Sequence, residues 1–141
     1  MAQFVREVMT FGVVAVRPDA SLVEAARLMR AQDIGDVLVA DGDRLVGVIT
    51  DRDIAVRVIA DGNDPLTVSV GSVCTRDPVC VSPDDGIAAA ARLMRSRAVR
   101  RLPVVEDGRP VGVVSIGDLA VSENPDSALA EISLANPNNE G

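Results

Sequence analysis

Histidine is absent from this 141-residue chain, and so are lysine, tyrosine and tryptophan. The lack of histidine excludes Ser-His-Asp and Cys-His catalysis and every zinc site that includes an imidazole. Two phenylalanines are the whole aromatic complement. The core must therefore be aliphatic, and stacking of bases on aromatic rings, the usual hold on single-stranded nucleic acid, is not available. A net charge of −7 opposes approach to nucleic acid or to an anionic membrane. All fourteen basic residues are arginine, which reads as coding bias. Cys74 and Cys80 are too few for a disulfide framework or a four-thiolate metal site, although a single bridge between them stays open. No apolar run approaches the ~20 residues of a membrane span, and the N-terminus lacks a signal-peptide apolar region. The expected location is cytoplasmic, with no membrane and no nucleic acid among the partners.

What is present is a duplication. Thr10 and Thr75, Pro18 and Pro83, Gly47 and Gly112, and Asp53 and Asp118 share one offset, and the match runs ungapped from Val5–Ile54 onto Val70–Leu119. Ala25–Arg30 returns letter for letter as Ala90–Arg95. Internal repeats decide the architecture and are weighed first. Each half reads β-α-β-β-α. Short β-branched strands are expected at Val13–Val16 and Val79–Val81. A helix capped by Ser21-x-x-Glu24 follows, with Leu22, Ala25, Ala26 and Met29 on one face, and Ile87, Ala90, Ala91 and Met94 repeat that face. Hairpins then join Val37–Ala40 to Leu45–Ile49 around Asp41-Gly42-Asp43, and Leu102–Val105 to Val111–Val114 around Glu106-Asp107-Gly108. Helices from about Arg52 to Ile59, and from about Gly117 into the early 120s, close the halves. Residues 1–62 form the first repeat, Ala60–Pro65 is a polar connector, and residues 66–123 form the second. A tail at 124–141 carries a short helix around Ser127–Leu134 and is otherwise expected to be disordered. Cys74 aligns with Met9 and Cys80 with Ala15, so both thiols are expected to be reduced, buried packing groups.

The organising stretch is Gly47-Val48-Ile49-Thr50-Asp51-Arg52-Asp53, echoed by Gly112-Val113-Val114-Ser115-Ile116-Gly117-Asp118. A strand runs into a helix, with a hydroxyl residue at the turn and a carboxylate three positions on. Unpaired helix N–H groups and a hydroxyl suit a phosphate, and a carboxylate suits a vicinal diol such as ribose. The same spacing is a capping box, which needs no ligand. With no glycine-rich phosphate loop of the P-loop kind and no metal cluster, the chain is not expected to be an enzyme.

These features together resemble the CBS domain family, named for cystathionine β-synthase. The motifs are both G-h-h-[ST]-x-x-D stretches (h, apolar), Val8-Met9-Thr10 and Arg100-Arg101-Leu102-Pro103-Val104-Val105, and the resemblance runs from about Val5 to Val121. With no attached catalytic or transport domain, the chain looks like the stand-alone members. The fold class implied is α/β (α+β): two tandem β-α-β-β-α CBS repeats related by pseudo-twofold symmetry, a Bateman-type module. The resemblance also implies two clefts for adenosine-type ligands (AMP, ADP, ATP or S-adenosylmethionine), no required cofactor or metal, a homodimer, and a sensor role toward a regulated protein partner. The alternative is a protein–protein interaction module that keeps the fold without a ligand.

Carried onto this chain, one cleft would combine Thr50, Arg52 and Asp53 with Thr75, Val79, Val99, Arg100 and Arg101. The other would combine Ser115 and Asp118 with Thr10, Val14, Ile34, Gly35 and Asp36. The aspartates would take the ribose diol, and the hydroxyl residues would help hold phosphate. Leu38 departs from the pattern where the second half has Pro103. Arginine grips phosphate oxygens and aspartate repels them, so the cleft closed by Asp53 is expected to bind more tightly. The competing reading of Arg100-Arg101 is a solvated strand edge.

Overall fold

The computed structural model describes residues 2–135. In chain order it places strands β1 (Thr10–Phe11) and β2 (Ala15–Val16), helix α1 (Leu22–Gln32), the hairpin β3 (Asp36–Asp41) and β4 (Arg44–Thr50), and helix α2 (Asp51–Ile54). Then come α3 (Val70–Val73), β5 (Thr75–Arg76), α4 (Ile87–Arg97), the hairpin β6 (Arg101–Glu106) and β7 (Arg109–Ser115), α5 (Ile116–Glu123) and α6 (Ala128–Leu134). A 3-10 turn spans Val5–Glu7, and a π-helical segment, Ala55–Ile59, continues α2. The Asn-Pro-Asn-Asn-Glu-Gly end of the tail lies outside the described residues.

The elements follow local chemistry. Ser21 caps α1, its hydroxyl accepting the Glu24 N–H at 3.1 Å. Both long helices end on a left-handed residue, Asp33 (φ 59°) and Ala98 (φ 54°). The next amide folds back in each case, Ile34 to the Met29 carbonyl and Val99 to the Met94 carbonyl, both at 3.0 Å. That closure is the Schellman ending. Asp107 (φ 54°) and Gly108 (φ 79°) turn the second hairpin, both in the left-handed region a two-residue hairpin turn demands. Each hairpin shifts register at the same place, between Val39 and Ala40 and between Val104 and Val105.

Two sheets result, ordered β2-β3-β4-β5 and β1-β7-β6. Their membership cuts across the repeat. β5, which opens the second repeat, pairs antiparallel with β4 of the first. β1, which opens the first repeat, pairs antiparallel with β7 of the second. The chain accordingly divides into two compact units, one from Val14 to Pro78 and the other joining residues up to Val13 with those from Val79 on. Each has an aliphatic core. Leu22, Ala25, Val39, Ile49, Val58 and Val70 have no accessible surface in the first, nor do Val5, Ala90, Val104 and Val114 in the second. No helix of the described residues is long and apolar enough to cross a membrane.

Three local expectations are corrected. Val79–Val81 is not a strand: it makes one isolated parallel bridge, Val81 to Val104. The strand expected at Val13–Val16 is confined to Ala15–Val16. The helix expected to run to Ile59 is α-helical only through Ile54. Beyond it, bonds such as Ala60 N–H to the Ala55 carbonyl (2.9 Å) skip one extra residue.

Candidate functional site

The end of β4 delivers Thr50 to the start of α2. Its hydroxyl accepts the Asp53 N–H at 3.0 Å, and Asp53 Oδ2 accepts the Thr50 N–H at 2.9 Å. The end of β7 repeats this at α5, with Ser115 Oγ accepting from Asp118 at 3.1 Å and Asp118 Oδ2 from Ser115 at 2.8 Å. Both stretches are therefore full capping boxes. The first helical amides are engaged too, Asp51 with the Gly35 carbonyl (2.9 Å) and Ile116 with the Arg100 carbonyl (2.8 Å). The anion-binding capacity is narrower than a bare helix end would give. What each turn still offers is the second carboxylate oxygen, the spare lone pairs of the hydroxyl, and the amide of Arg52 or of Gly117.

The matching geometry of the two turns rests on Gly47 and Gly112. A Cβ at Gly47 would overlap the Thr75 carbonyl, and one at Gly112 would overlap the Thr10 carbonyl. Only glycine lets the short opening strand cross so near. This brings Thr75, opposite Val48, onto the sheet that carries Thr50, and Thr10, opposite Val113, onto the sheet that carries Ser115.

Within the Val14–Pro78 unit the structure places Thr50, Arg52, Asp53 and Thr75 together with Val14, Ile34, Gly35 and Asp36. Asp36 lies directly across from Thr50 in the hairpin, and the Val14 carbonyl accepts the Leu38 N–H at 3.0 Å. The other unit holds Ser115, Asp118, Thr10, Val79, Val99, Arg100 and Arg101, with Arg101 directly across from Ser115. Each expected cleft thus draws its residues from both units, and inside its own unit the arginine pair neighbours Ser115.

Two side chains at this site were not singled out in the sequence. Arg57, four residues past Asp53, brings Nε to 3.7 Å from Asp53 Oδ1 and donates from Nη1 to the Val73 carbonyl at 3.1 Å. Its spacing was a readable signal, because i and i+4 residues share a helix face. Ser133 of α6 lies against Gly117, so closely that a Cβ there would overlap its hydroxyl. Gly117 is buried, whereas Arg52, its counterpart, is exposed. Nothing in the repeat signals that contact, since α6 has no equivalent in the first half.

No disulfide joins Cys74 and Cys80. Burial pushes the Cys74 thiol upward against the opposing pull of Arg76, and burial alone pushes Cys80 upward. Cys74 is buried as expected. Cys80 is only half-buried, in a segment that bridges the sheet at Val81 without forming a strand.

A family model for the CBS domain matches this chain twice, at residues 5–60 and 70–122. The chain is 39% identical over 136 residues to the CBS domain-containing protein YhcV of Bacillus subtilis, covering 94% of this chain and 96% of that one. Hypoxic response protein 1 of Mycobacterium tuberculosis is 37% identical over 116 residues, 82% of this chain and 81% of that one. A crystal structure of Hypoxic Response Protein I with two coordinated zinc ions superposes at a TM-score of 0.77, covering 83% of this chain and 96% of that one at 36% identity. The CBS domain pair of protein MJ0100, in complex with methylthioadenosine and S-adenosyl-L-methionine, superposes at 0.74, covering 83% and 92% at 25% identity. This chain belongs to the CBS domain family, as a tandem pair of mixed α and β repeats. It has no histidine, and no group of three or more metal-ligating side chains occurs among the described residues.

Proposed function

We propose that this chain is a non-catalytic sensor module that binds an adenine nucleotide or adenosyl ligand and, as a homodimer, passes that state to a regulated protein. The observation that carries the reading is the Thr50–Asp53 turn. Its reciprocal bonds hold a carboxylate in place and leave Oδ1 for a diol, next to an exposed arginine and a hydroxyl. Within the same unit Thr75, opposite Val48 on the strand that ends at Thr50, completes the ligand set of this turn. Ser115, Asp118 and Thr10 form the second set. The adenosyl compounds bound by the MJ0100 pair support this choice of ligand class.

The two sets differ in strength. Arg52 stands ready for phosphate at the first turn, whereas Gly117 offers no side chain and lies under α6. Hydrogen bonds to charged groups contribute about 1.5–3 kcal/mol each, so the loss of one separates the affinities by about tenfold or more. The Asp53 set is therefore the tighter. Calorimetric titration of refolded, ligand-free protein with AMP, ATP and S-adenosylmethionine tests the reading. Saturable binding of at least one is expected. Silence toward all three at millimolar concentration would leave the chain as an interaction module that keeps only the fold.

A further inference from the structure

Asp53 and Asp118 occupy equivalent turns, yet their carboxylates are held differently. Each gives Oδ2 to the amide of its capping partner. Asp53 also has the Arg57 guanidinium at 3.7 Å from Oδ1, and the same guanidinium donates to the Val73 carbonyl. At the position of Arg57 the second repeat carries Ser122, and the Asp118 carboxylate has no partner but the Ser115 amide among the described residues. Val73 ends α3, two residues before Thr75. One side chain therefore ties the carboxylate meant for the diol to the segment that carries a hydroxyl of the same ligand set. Arg57 belongs to the π-helical segment, a distortion that recurs at functional sites.

We propose that Arg57 is a positioning residue for the Asp53 site, and that the brace contributes to making this site the tighter of the two. The inference rests on the ligand reading above. The terminal torsion of a free aspartate is broad. An amide hydrogen bond on one oxygen and a guanidinium charge 3.7 Å from the other bias the carboxylate toward one orientation, and each oxygen keeps a lone pair for a ribose hydroxyl. Ordering the carboxylate before the ligand arrives reduces what binding must order. Arg57 is more than half exposed, and exposed ion pairs add little to global stability. Replacing it should loosen the site without unfolding the unit.

The test uses Arg57→Gln and Arg57→Lys, with AMP as probe and labelling of Cys74, beside Val73, as a readout that needs no ligand. In Arg57→Gln the AMP dissociation constant is expected to rise about tenfold, with a near-wild-type melting temperature and faster Cys74 labelling. Arg57→Lys should recover part of the affinity, since it keeps the charge but not the fork. Wild-type affinity in Arg57→Gln would overturn the inference alone. So would a large fall in melting temperature with no recovery by lysine, which would make Arg57 a packing residue. Wild-type protein that binds no AMP, ATP or S-adenosylmethionine would overturn the ligand reading, and with it any role of Arg57 in binding.

Discussion

At the residue scale the motif serves structure before it serves a ligand. Thr50 and Ser115 cap helices, and Gly47 and Gly112 make room for a crossing strand. Gly47→Ala would push a methyl group into the Thr75 carbonyl, a backbone atom that cannot swing away. Overpacking of this kind costs about 1–3 kcal/mol, and urea unfolding should show a loss in that range for Gly47→Ala and for Gly112→Ala. The amino acids missing from the chain sharpen a second prediction. With no lysine and no tyrosine, the thiols and the α-amino group are the only groups that titrate between about pH 8 and 11. Burial raises both thiols above the ordinary value of 9.0, so the folded state holds its protons longer. The stability this contributes is full below that value and is lost as pH rises past it. Thermal melts should therefore weaken with rising alkalinity in wild-type protein, and less steeply when Cys74 and Cys80 are both alanine. Equal slopes would contradict the burial. The carboxylates, hydroxyls and glycines could be read from the repeat, whereas the reason for Gly47 could not, because the carbonyl it accommodates lies beyond the connector.

At the element scale the periodic stretches were the legible ones. α1, α4 and both hairpins stand where apolar spacing and turn residues put them, since each depends on its own side chains. The short elements were not legible. β1, β5 and the turn at Val5–Glu7 have two or three residues each and exist because a partner strand or core accepts them. Their Thr10, Thr75 and Val5 carry no periodic signal. The helix α6 was expected, but not its seat. Ser127 caps it, accepting the Ala130 N–H at 3.1 Å. Ala130 is fully buried and Ser133 meets Gly117. Gly117→Arg, which copies the first repeat, cannot coexist with that seat. Hydrogen exchange should show α6 losing protection in this variant while α4 and β6 keep theirs. Unchanged protection of α6 would mean that the contact with Gly117 does not hold the helix.

At the scale of the whole molecule, the duplication repeats one strand-to-helix turn, and the two copies differ in the residues around it. The first copy carries Arg52, Arg57 and Asp36 where the second carries Gly117, Ser122 and Arg101, with Asp36 across from Thr50 and Arg101 across from Ser115. The family and the tandem repeat were readable because the motifs recur at one offset. The compact units were not, because each borrows its opening strand across the repeat boundary. Exposed Phe11, Val56 and Ile59 add apolar surface consistent with the proposed homodimer. The central claim, that this pair binds an adenosyl ligand chiefly through Asp53, is tested most directly by calorimetry on Asp53→Ala and Asp118→Ala side by side. Each substitution removes only the carboxylate half of a capping box and leaves the Thr50 or Ser115 cap in place, at a cost of about 1 kcal/mol or less, so both variants stay folded and comparable. The account predicts that Asp53→Ala loses the tight binding event and that Asp118→Ala retains it. Wild-type affinity in Asp53→Ala, with none in Asp118→Ala, would contradict it.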